Sequence, residues 1–213
     1  LYDVGITGKD WVGETNSDVE SILDLEYGKI RLVIAFPDKY TYKNLDAMIA
    51  DYGKKKKTLR ISSEYLRTAS TFIKGLKSYQ KYYGKKDPLI VTPWMRLGNN
   101  KDVQIHLSFG ATEAKPPEDV DAIMDVTETG TTLKQNKLKI VDEVLTSTAH
   151  LIVNKKSLKD PKKREKIFDM ITLIRGAVNG RKYLHIYLNV EEKNLKKLLS
   201  QMPSLKRPTI SPL

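Results

Sequence analysis

Residues 121–133 combine acids, threonines and a glycine in a pattern that suits the binding of a phosphate and a sugar. Residues 121–126 predict a short strand and residues 130–136 a helical turn, so a hydroxyl-rich loop joins the two. Ligands of open α/β sheets bind at the carboxyl ends of strands, and helix N-termini offer unpaired N–H groups to anions. The alternative is an ordinary capped turn, because threonines also cap helices. The residues alone leave both interpretations open.

Of the two strand acids, Asp125 is nearer to this loop, and strand geometry predicts that it shares a face with Asp121. Its carboxylate could accept hydrogen bonds from sugar hydroxyls or face a Mg²⁺ ion through water. Gly130 would let the backbone approach a phosphate closely. Glu113 and Glu128 are candidate general bases, although a glutamate in a cleft also serves as an orienting hydrogen-bond acceptor. No catalytic residue is assigned.

Charge and composition weigh against several other kinds of protein. The net charge is +11, but only eight of the 37 basic residues are arginines, and the lysines cluster within residues 51–100 and 151–213. Lysine clusters without arginine favour solvated surfaces over a nucleic-acid interface. The absence of cysteine excludes disulfides and thiolate metal sites. We expect no membrane-spanning segment, because no apolar run approaches about 20 residues.

The three histidines do not form a metal site by their spacing. His106, His150 and His185 lie far apart, in strand-like contexts, and none neighbours an acid in a zinc pattern. We expect each to be structural or on the surface. No metal ligand is therefore assigned.

Hydrophobic periodicity predicts the elements that must position the loop. Strands are predicted at residues 30–36, 103–107, 121–126, 138–153 (one or two strands) and 184–188. Helices are predicted from residue 65 with a stop at Gly84, from 161 to 180 after the capping residue Asp160, and from 195 to 202 before Pro203. Strands that alternate with helices predict an α/β fold with a largely parallel sheet.

Residues 125–133 resemble the ribose-5-phosphate-binding signature of the ATP phosphoribosyltransferases, which catalyse the first step of histidine biosynthesis. The resemblance continues, in order, through residues 3–10, 27–35, 60–65, 110–113 and 207–213, so it covers practically the whole chain. The chain departs from the family pattern at Ile30, Leu66 and Lys137, and the spacing from Glu113 to the Asp125 loop is about one residue shorter. These departures leave the phosphate loop intact.

The resemblance implies a fold of two lobes like the type II periplasmic binding proteins, with the ligand cleft between them. Lobe I would comprise residues 1–36 and 149–213, with its N-terminal part missing, and lobe II residues 37–148. It also implies a binding site for phosphoribosyl pyrophosphate made by Asp125, Thr127, Glu128, Thr129, Gly130, Thr131 and Thr132. The facing wall of the cleft would be lined by Gly110, Ala111 and Glu113.

The activity implied by the resemblance joins N1 of the adenine of ATP to C1 of phosphoribosyl pyrophosphate, with loss of pyrophosphate. The cofactor would be Mg²⁺, held mainly through the substrate. We expect a cytoplasmic protein that forms a homo-oligomer (dimer or hexamer) or a complex with a regulatory subunit, without nucleic acid or membrane partners. The alternative is a non-catalytic module of the same bilobal shape that binds a solute or an effector. The sequence does not decide between a long form with a histidine-sensing domain and a short form, or identify the groups that contact ATP.

Overall fold

The computed structural model describes residues 2–184, 186–201 and 210–211. The strands are β1 (Val4–Gly8), β2 (Val19–Asp24), β3 (Ile30–Pro37), β4 (Leu59–Ser63), β5 (Pro88–Val91), β6 (Arg96–Leu97), β7 (Asn100–Leu107), β8 (Ala122–Thr127), β9 (Leu138–Ser147) and β10 (Ala149–Asn154). The helices are α1 (Lys9–Thr15), α2 (Leu45–Lys55), α3 (Leu66–Gly75), α4 (Lys77–Tyr83), α5 (Thr131–Gln135), α6 (Lys155–Lys159), α7 (Pro161–Gly180) and α8 (Glu192–Gln201). Residues 1–178 form one compact unit and residues 179–213 a second.

The first unit contains two β-sheets. The small sheet has the order β1-β10-β2, and both of its pairs are antiparallel. The large sheet has the order β6-β5-β7-β4-β8-β3-β9. Strands β5, β7, β4 and β8 run parallel to one another, whereas β6, β3 and β9 join the sheet through antiparallel pairs.

The α/β class is confirmed, but the prediction of a largely parallel sheet was wrong. Only the centre of the large sheet is parallel, and the small sheet is entirely antiparallel. Hydrophobic periodicity reports which side chains are buried and carries no information on strand direction. The direction of β3 between β8 and β9 is decided by tertiary pairing.

Helices cover the two faces of the large sheet unequally. The main hydrophobic core lies under α2, α3 and α4, which bury residues such as Met48, Ile73 and Tyr79 against β3, β4 and β7. The opposite face has a smaller cluster, in which Leu133 of α5 packs with Ile123 of β8. This second cluster anchors the helix that follows the candidate loop.

Most predicted elements are present, with two differences. The single helix expected from residue 65 to Gly84 is divided into α3 and α4, because Leu76 has an extended backbone (ψ 138°). Helix α7 begins as expected, since the Asp160 carboxylate accepts hydrogen bonds from the N–H groups of Lys162 and Lys163. The predicted strand at residues 184–188 is wrong for the described residues, none of which has strand structure.

That error has a physical cause, since a strand requires a paired neighbour as well as an apolar sequence. Leu184, in this segment, has 91% of its surface exposed. Helix α8 is present as predicted, but Pro203 and His185 lie outside the described residues. Of the C-terminal segment that resembles the family, only Ile210 and Ser211 are described, and neither lies in a helix or strand.

The predicted lobe boundary at residue 36 remains a prediction. The sheets divide the chain differently, because β3 is hydrogen bonded to β8 and β9 in the large sheet. The chain passes between the sheets at residues 25–29 and again at Thr148. Among the described residues, no helix has the length and apolar character needed to cross a membrane.

Candidate functional site

The candidate site lies at the carboxyl ends of three neighbouring parallel strands, β7, β4 and β8. Ser63 at the end of β4 is level with Leu107 of β7 and Met124 of β8. The segments that follow these strands therefore emerge together at one edge of the large sheet. This is the edge at which α/β proteins bind ligands.

The loop after β8 is built around Gly130. Its backbone is left-handed (φ 81°), and its N–H group donates a hydrogen bond to the Thr127 Oγ1 atom at 2.8 Å. A Cβ atom at this position would lie 3.3 Å from Cδ1 of Ile140. The turn therefore favours glycine both for its backbone angle and for its close neighbour.

Threonine hydroxyls line the rest of the loop. The hydroxyls of Thr129 and Thr131 are 2.8 Å apart, and the Thr131 N–H group lies 3.4 Å from Thr129 Oγ1. Thr129, Thr131, Thr132 and Glu128 are exposed to solvent. The side chains predicted to bind a phosphate are thus presented together, although α5 itself is only five residues long.

Asp125 lies just before this loop, on the part of β8 that pairs with Val33 of β3. Burial raises the pKa of Asp125 to about 6, the N–H group of Val126 opposes the shift, and the negative charges of Glu113 and Glu64 add to it. The Val126 N–H group donates to Asp125 Oδ1 at 2.8 Å. A carboxylate that is partly desolvated in this way gains from any hydrogen-bond donor that a ligand brings.

Asp121, in contrast, does not belong to the site. Strand β8 begins one residue later, and the Asp121 carboxylate accepts hydrogen bonds from the Tyr52 hydroxyl at 3.1 Å and the Arg60 N–H group at 2.8 Å. It anchors the amino end of β8, about 13 Å from Asp125 at the usual rise per residue of a strand. The shared strand face predicted for the two acids does not bring them into one site.

The segment predicted to form the facing wall follows β7 and has an unusual backbone. Both Gly110 (φ 68°) and Ala111 (φ 48°) are left-handed, and a single 3-10 turn, Thr112–Ala114, follows them. The wall is held by hydrogen bonds, among them one of 3.0 Å between the hydroxyls of Ser108 and Thr112. The charge of Glu113 adds to the raised pKa of Asp125, and the 3-10 turn contacts β8. That these residues line the facing wall of a cleft remains a prediction.

Glu64 is a residue of this site that the sequence analysis did not select. It follows β4 directly, and its Oε1 atom accepts a hydrogen bond of 3.1 Å from the Gly110 N–H group. Its charge also raises the pKa of Asp125. The rule that ligands bind at the carboxyl ends of parallel strands would have identified it, had the order of the strands been known.

Three carboxylates, Glu64, Glu113 and Asp125, therefore make this edge of the sheet acidic. Carboxylate oxygens suit Mg²⁺ by their chemistry. Nevertheless, the described part of the chain contains no group of three or more acidic or histidine side chains arranged to hold a metal ion. The protein supplies oxygen donors here without forming a complete metal site.

The histidines lie elsewhere. His150 Nδ1 is 2.8 Å from the Ser21 hydroxyl in the small sheet, and His106 Nε2 is 3.0 Å from Gln104 Oε1 in the large sheet. Burial lowers the pKa of His106, and the charges of nearby basic side chains add to this effect. These contacts give both side chains structural partners.

Comparisons with known proteins agree on one family. The family model described as ATP phosphoribosyltransferase matches residues 1–176. The chain is 38% identical to the ATP phosphoribosyltransferase of Solibacter usitatus and 36% identical to that of Pelodictyon phaeoclathratiforme, in both cases over 100% of its own length. It spans 65% and 63% of the length of these two relatives.

Two solved structures share the fold. One is an ATP phosphoribosyl transferase (HisG:HisZ) complex from Thermotoga maritima, with a TM-score of 0.61, 21% identity, and coverage of 83% of this chain and 70% of the other. The second is XAC2383 from Xanthomonas citri bound to ATP, with a TM-score of 0.50, 8% identity, and coverage of 93% and 75%. At these identities the likeness concerns the fold alone.

Proposed function

Because the chain belongs to the ATP phosphoribosyltransferase family, we propose that it condenses ATP with phosphoribosyl pyrophosphate. The products would be phosphoribosyl-ATP and pyrophosphate, in the first step of histidine biosynthesis. The observation that carries this proposal is the position of Asp125 and the Thr127–Thr132 loop at the carboxyl ends of parallel strands. The proposed setting is a cytoplasmic biosynthetic enzyme.

The loop would hold the 5-phosphate of the substrate. Its exposed hydroxyls at Thr129, Thr131 and Thr132 are donors for phosphate oxygens, and Gly130 adds no side chain to the loop. Asp125 would accept hydrogen bonds from the ribose hydroxyls, which compensate its partial desolvation. Fixing the sugar in this way aligns C1 with its nucleophile.

In the proposed reaction, the bond between C1 and the pyrophosphate oxygen breaks, and the electron pair leaves with pyrophosphate. The lone pair of N1 of adenine forms the new bond to C1 on the opposite face. Positive charge grows at C1 in the transition state, and the nearby carboxylates of Asp125, Glu113 and Glu64 favour that charge.

Mg²⁺ is proposed to enter as a complex with phosphoribosyl pyrophosphate. The carboxylate oxygens of Glu64, Glu113 and Asp125 fit Mg²⁺ chemically, but the described residues do not form a complete site. When bound, the ion would neutralise the leaving pyrophosphate. The contribution of the chain is to hold the ribose and phosphate groups beside these acids.

The proposal is tested by incubating the protein with ATP, phosphoribosyl pyrophosphate and Mg²⁺ and measuring phosphoribosyl-ATP and pyrophosphate by chromatography. Formation of both products in equal amounts would support it. Binding of phosphoribosyl pyrophosphate without turnover would favour the non-catalytic module instead. Lack of both binding and turnover would refute the assignment of the site.

We also propose that the protein works as a homo-oligomer or with a regulatory subunit. The Thermotoga structure is of a HisG:HisZ complex, which offers a precedent for such an assembly. Light scattering during size-exclusion chromatography measures the mass, and a monomer alone would count against self-association.

A further inference from the structure

Helix α1 connects the small sheet with the large sheet through two acidic side chains. It begins directly after β1 and carries Asp10 and Glu14, which are four residues apart and so lie on one face of the helix. The Asp10 carboxylate binds side chains just before α3 and at the end of β9, and the Glu14 carboxylate binds the start of α3. A short helix of the small sheet thus contacts the large sheet at two points.

Asp10 is buried, with 7% of its surface exposed, and its carboxylate is fully engaged. Oδ1 accepts a hydrogen bond of 2.6 Å from the Ser147 hydroxyl, and Oδ2 accepts one of 2.6 Å from the Tyr65 hydroxyl. The Asp10 N–H group also donates to Ser147 Oγ at 3.0 Å. Hydrogen bonds to a buried carboxylate are among the strong ones, because the acceptor is charged.

Tyr65 is suited to this contact. Burial raises the pKa of its hydroxyl well above the usual value, and the bond to Asp10 adds to the shift, so the hydroxyl keeps its proton and remains a donor. Its ring packs on Trp11 at a centroid distance of 4.8 Å. The contact between Tyr65 and α1 therefore has a polar and an aromatic part.

Glu14 makes the second contact, at the N-terminus of α3. Its two oxygens accept hydrogen bonds of 2.8 Å from the N–H groups of Arg67 and Thr68, and Oε2 accepts one of 2.7 Å from the Thr68 hydroxyl. The residue that precedes α3 provides no capping side chain of its own. Glu14, on α1, supplies the missing cap for the N–H groups at the start of α3.

The turn from Ser63 to Tyr65, which joins β4 to α3, also contacts the candidate site. Glu64 accepts the hydrogen bond from the Gly110 N–H group, and its charge adds to the raised pKa of Asp125. Within the turn, the Tyr65 N–H group donates a hydrogen bond to Ser63 Oγ at 2.9 Å. Ser147, the other partner of Asp10, is the last residue of β9, next to the crossing point at Thr148. Asp10 therefore links a crossing point between the sheets to a wall of the site.

We propose that Asp10 is a positioning residue, which fixes the Ser63 to Tyr65 turn, and through Glu64 the Gly110 wall, beside the Thr127–Thr132 loop. This inference rests on the proposed function, because its consequence is the alignment of phosphoribosyl pyrophosphate. Asp10 itself contacts no reacting atom. Loss of the Asp10 carboxylate would shift the wall that faces the sugar.

The test compares Asp10→Asn, Tyr65→Phe and the double variant, with Asp169→Asn as a control for an exposed acid on α7. We expect Asp10→Asn to raise KM for phosphoribosyl pyrophosphate and to lower kcat/KM by about 10- to 100-fold, as a displacement of about 1 Å can. The double variant should be hardly worse than Asp10→Asn, because both changes break the same contact. Asp169→Asn should match the parent.

Trp11 gives a second measurement that does not need activity. In a Trp94→Phe background it is the remaining tryptophan, so its emission and its quenching by acrylamide report on the contact with Tyr65. Asp10→Asn and Tyr65→Phe should both increase quenching. If Asp10→Asn fails to fold, Tyr65→Phe, which keeps the Ser147 bond, takes its place.

Three results would overturn the proposal. One is parental kcat/KM in Asp10→Asn together with a lower unfolding temperature, which would make Asp10 merely structural. The second is a double variant whose losses multiply, and the third is unchanged quenching of Trp11. A parent protein that neither binds nor converts phosphoribosyl pyrophosphate would instead refute the proposed function, and with it the positioning role, while the fluorescence still reports whether Asp10 maintains the contact.

Discussion

Replacing Asp125 with asparagine should make the protein more stable and less active. Folding raises the pKa of this carboxyl from 3.8 to about 6, mainly through burial. One pKa unit corresponds to about 1.4 kcal/mol, so ionised Asp125 lowers the free energy of unfolding at pH 7 by about 1–3 kcal/mol once partial solvent screening is allowed for. Asparagine keeps an oxygen acceptor for the Val126 N–H group and removes the charge.

The sign of the pH dependence follows from the direction of the shift. Because the folded protein binds the Asp125 proton more tightly than the unfolded chain does, the parent loses stability as the pH rises from about 4 to about 6. Below pH 4 both states are protonated and the substitution should have little effect. Above pH 6 the full difference should be present, which for a chain of this size is roughly 2–12 °C in Tm.

The assay is thermal unfolding of the parent and of Asp125→Asn at several pH values between 4 and 8, with exposed Asp169→Asn as the control. The same proteins are then compared in kcat/KM at pH 7.5, where loss of charge-assisted bonds to the ribose hydroxyls, worth roughly 1.5–3 kcal/mol each, should reduce activity at least tenfold. A stability difference that is independent of pH would refute the electrostatic reasoning. Unchanged kcat/KM would remove Asp125 from the sugar site.

Three further predictions concern the loop, the lysines and the metal. Gly130→Val should abolish binding of phosphoribosyl pyrophosphate, measured by calorimetry, and cost about 1–2 kcal/mol of stability because of the positive φ; normal binding would show that the loop is misassigned. Replacing exposed Lys54–Lys57 with glutamine should leave turnover at 0.15 M salt unchanged. Tight DNA binding by the parent that is lost in this variant would instead favour a nucleic-acid protein. Chelation should stop turnover reversibly without changing Tm, and a lowered Tm would reveal a metal held by the protein itself.

Local residue chemistry was enough to predict the loop and its neighbouring elements. Residues 121–136 predicted a strand, a loop and a helical turn, and the structure has β8, the Gly130 turn and α5 there. The run at residues 30–36 is the buried strand β3. These predictions succeed because burial and backbone preference act over a few residues and leave a pattern in the chain.

The tertiary structure decided which of these segments meet. The direction of β3 depends on its pairing with distant strands, and α4 begins where the Ser78 N–H group donates to the distant Asp46 carboxylate. Leu184 has no strand structure although its sequence is apolar. Glu64 joins the site, and Asp121 leaves it, only because β4 lies between β7 and β8. The contact of Asp10 with Ser147 joins residues 137 positions apart. Such pairings depend on the packing of the whole unit, so no local pattern of residue types encodes them.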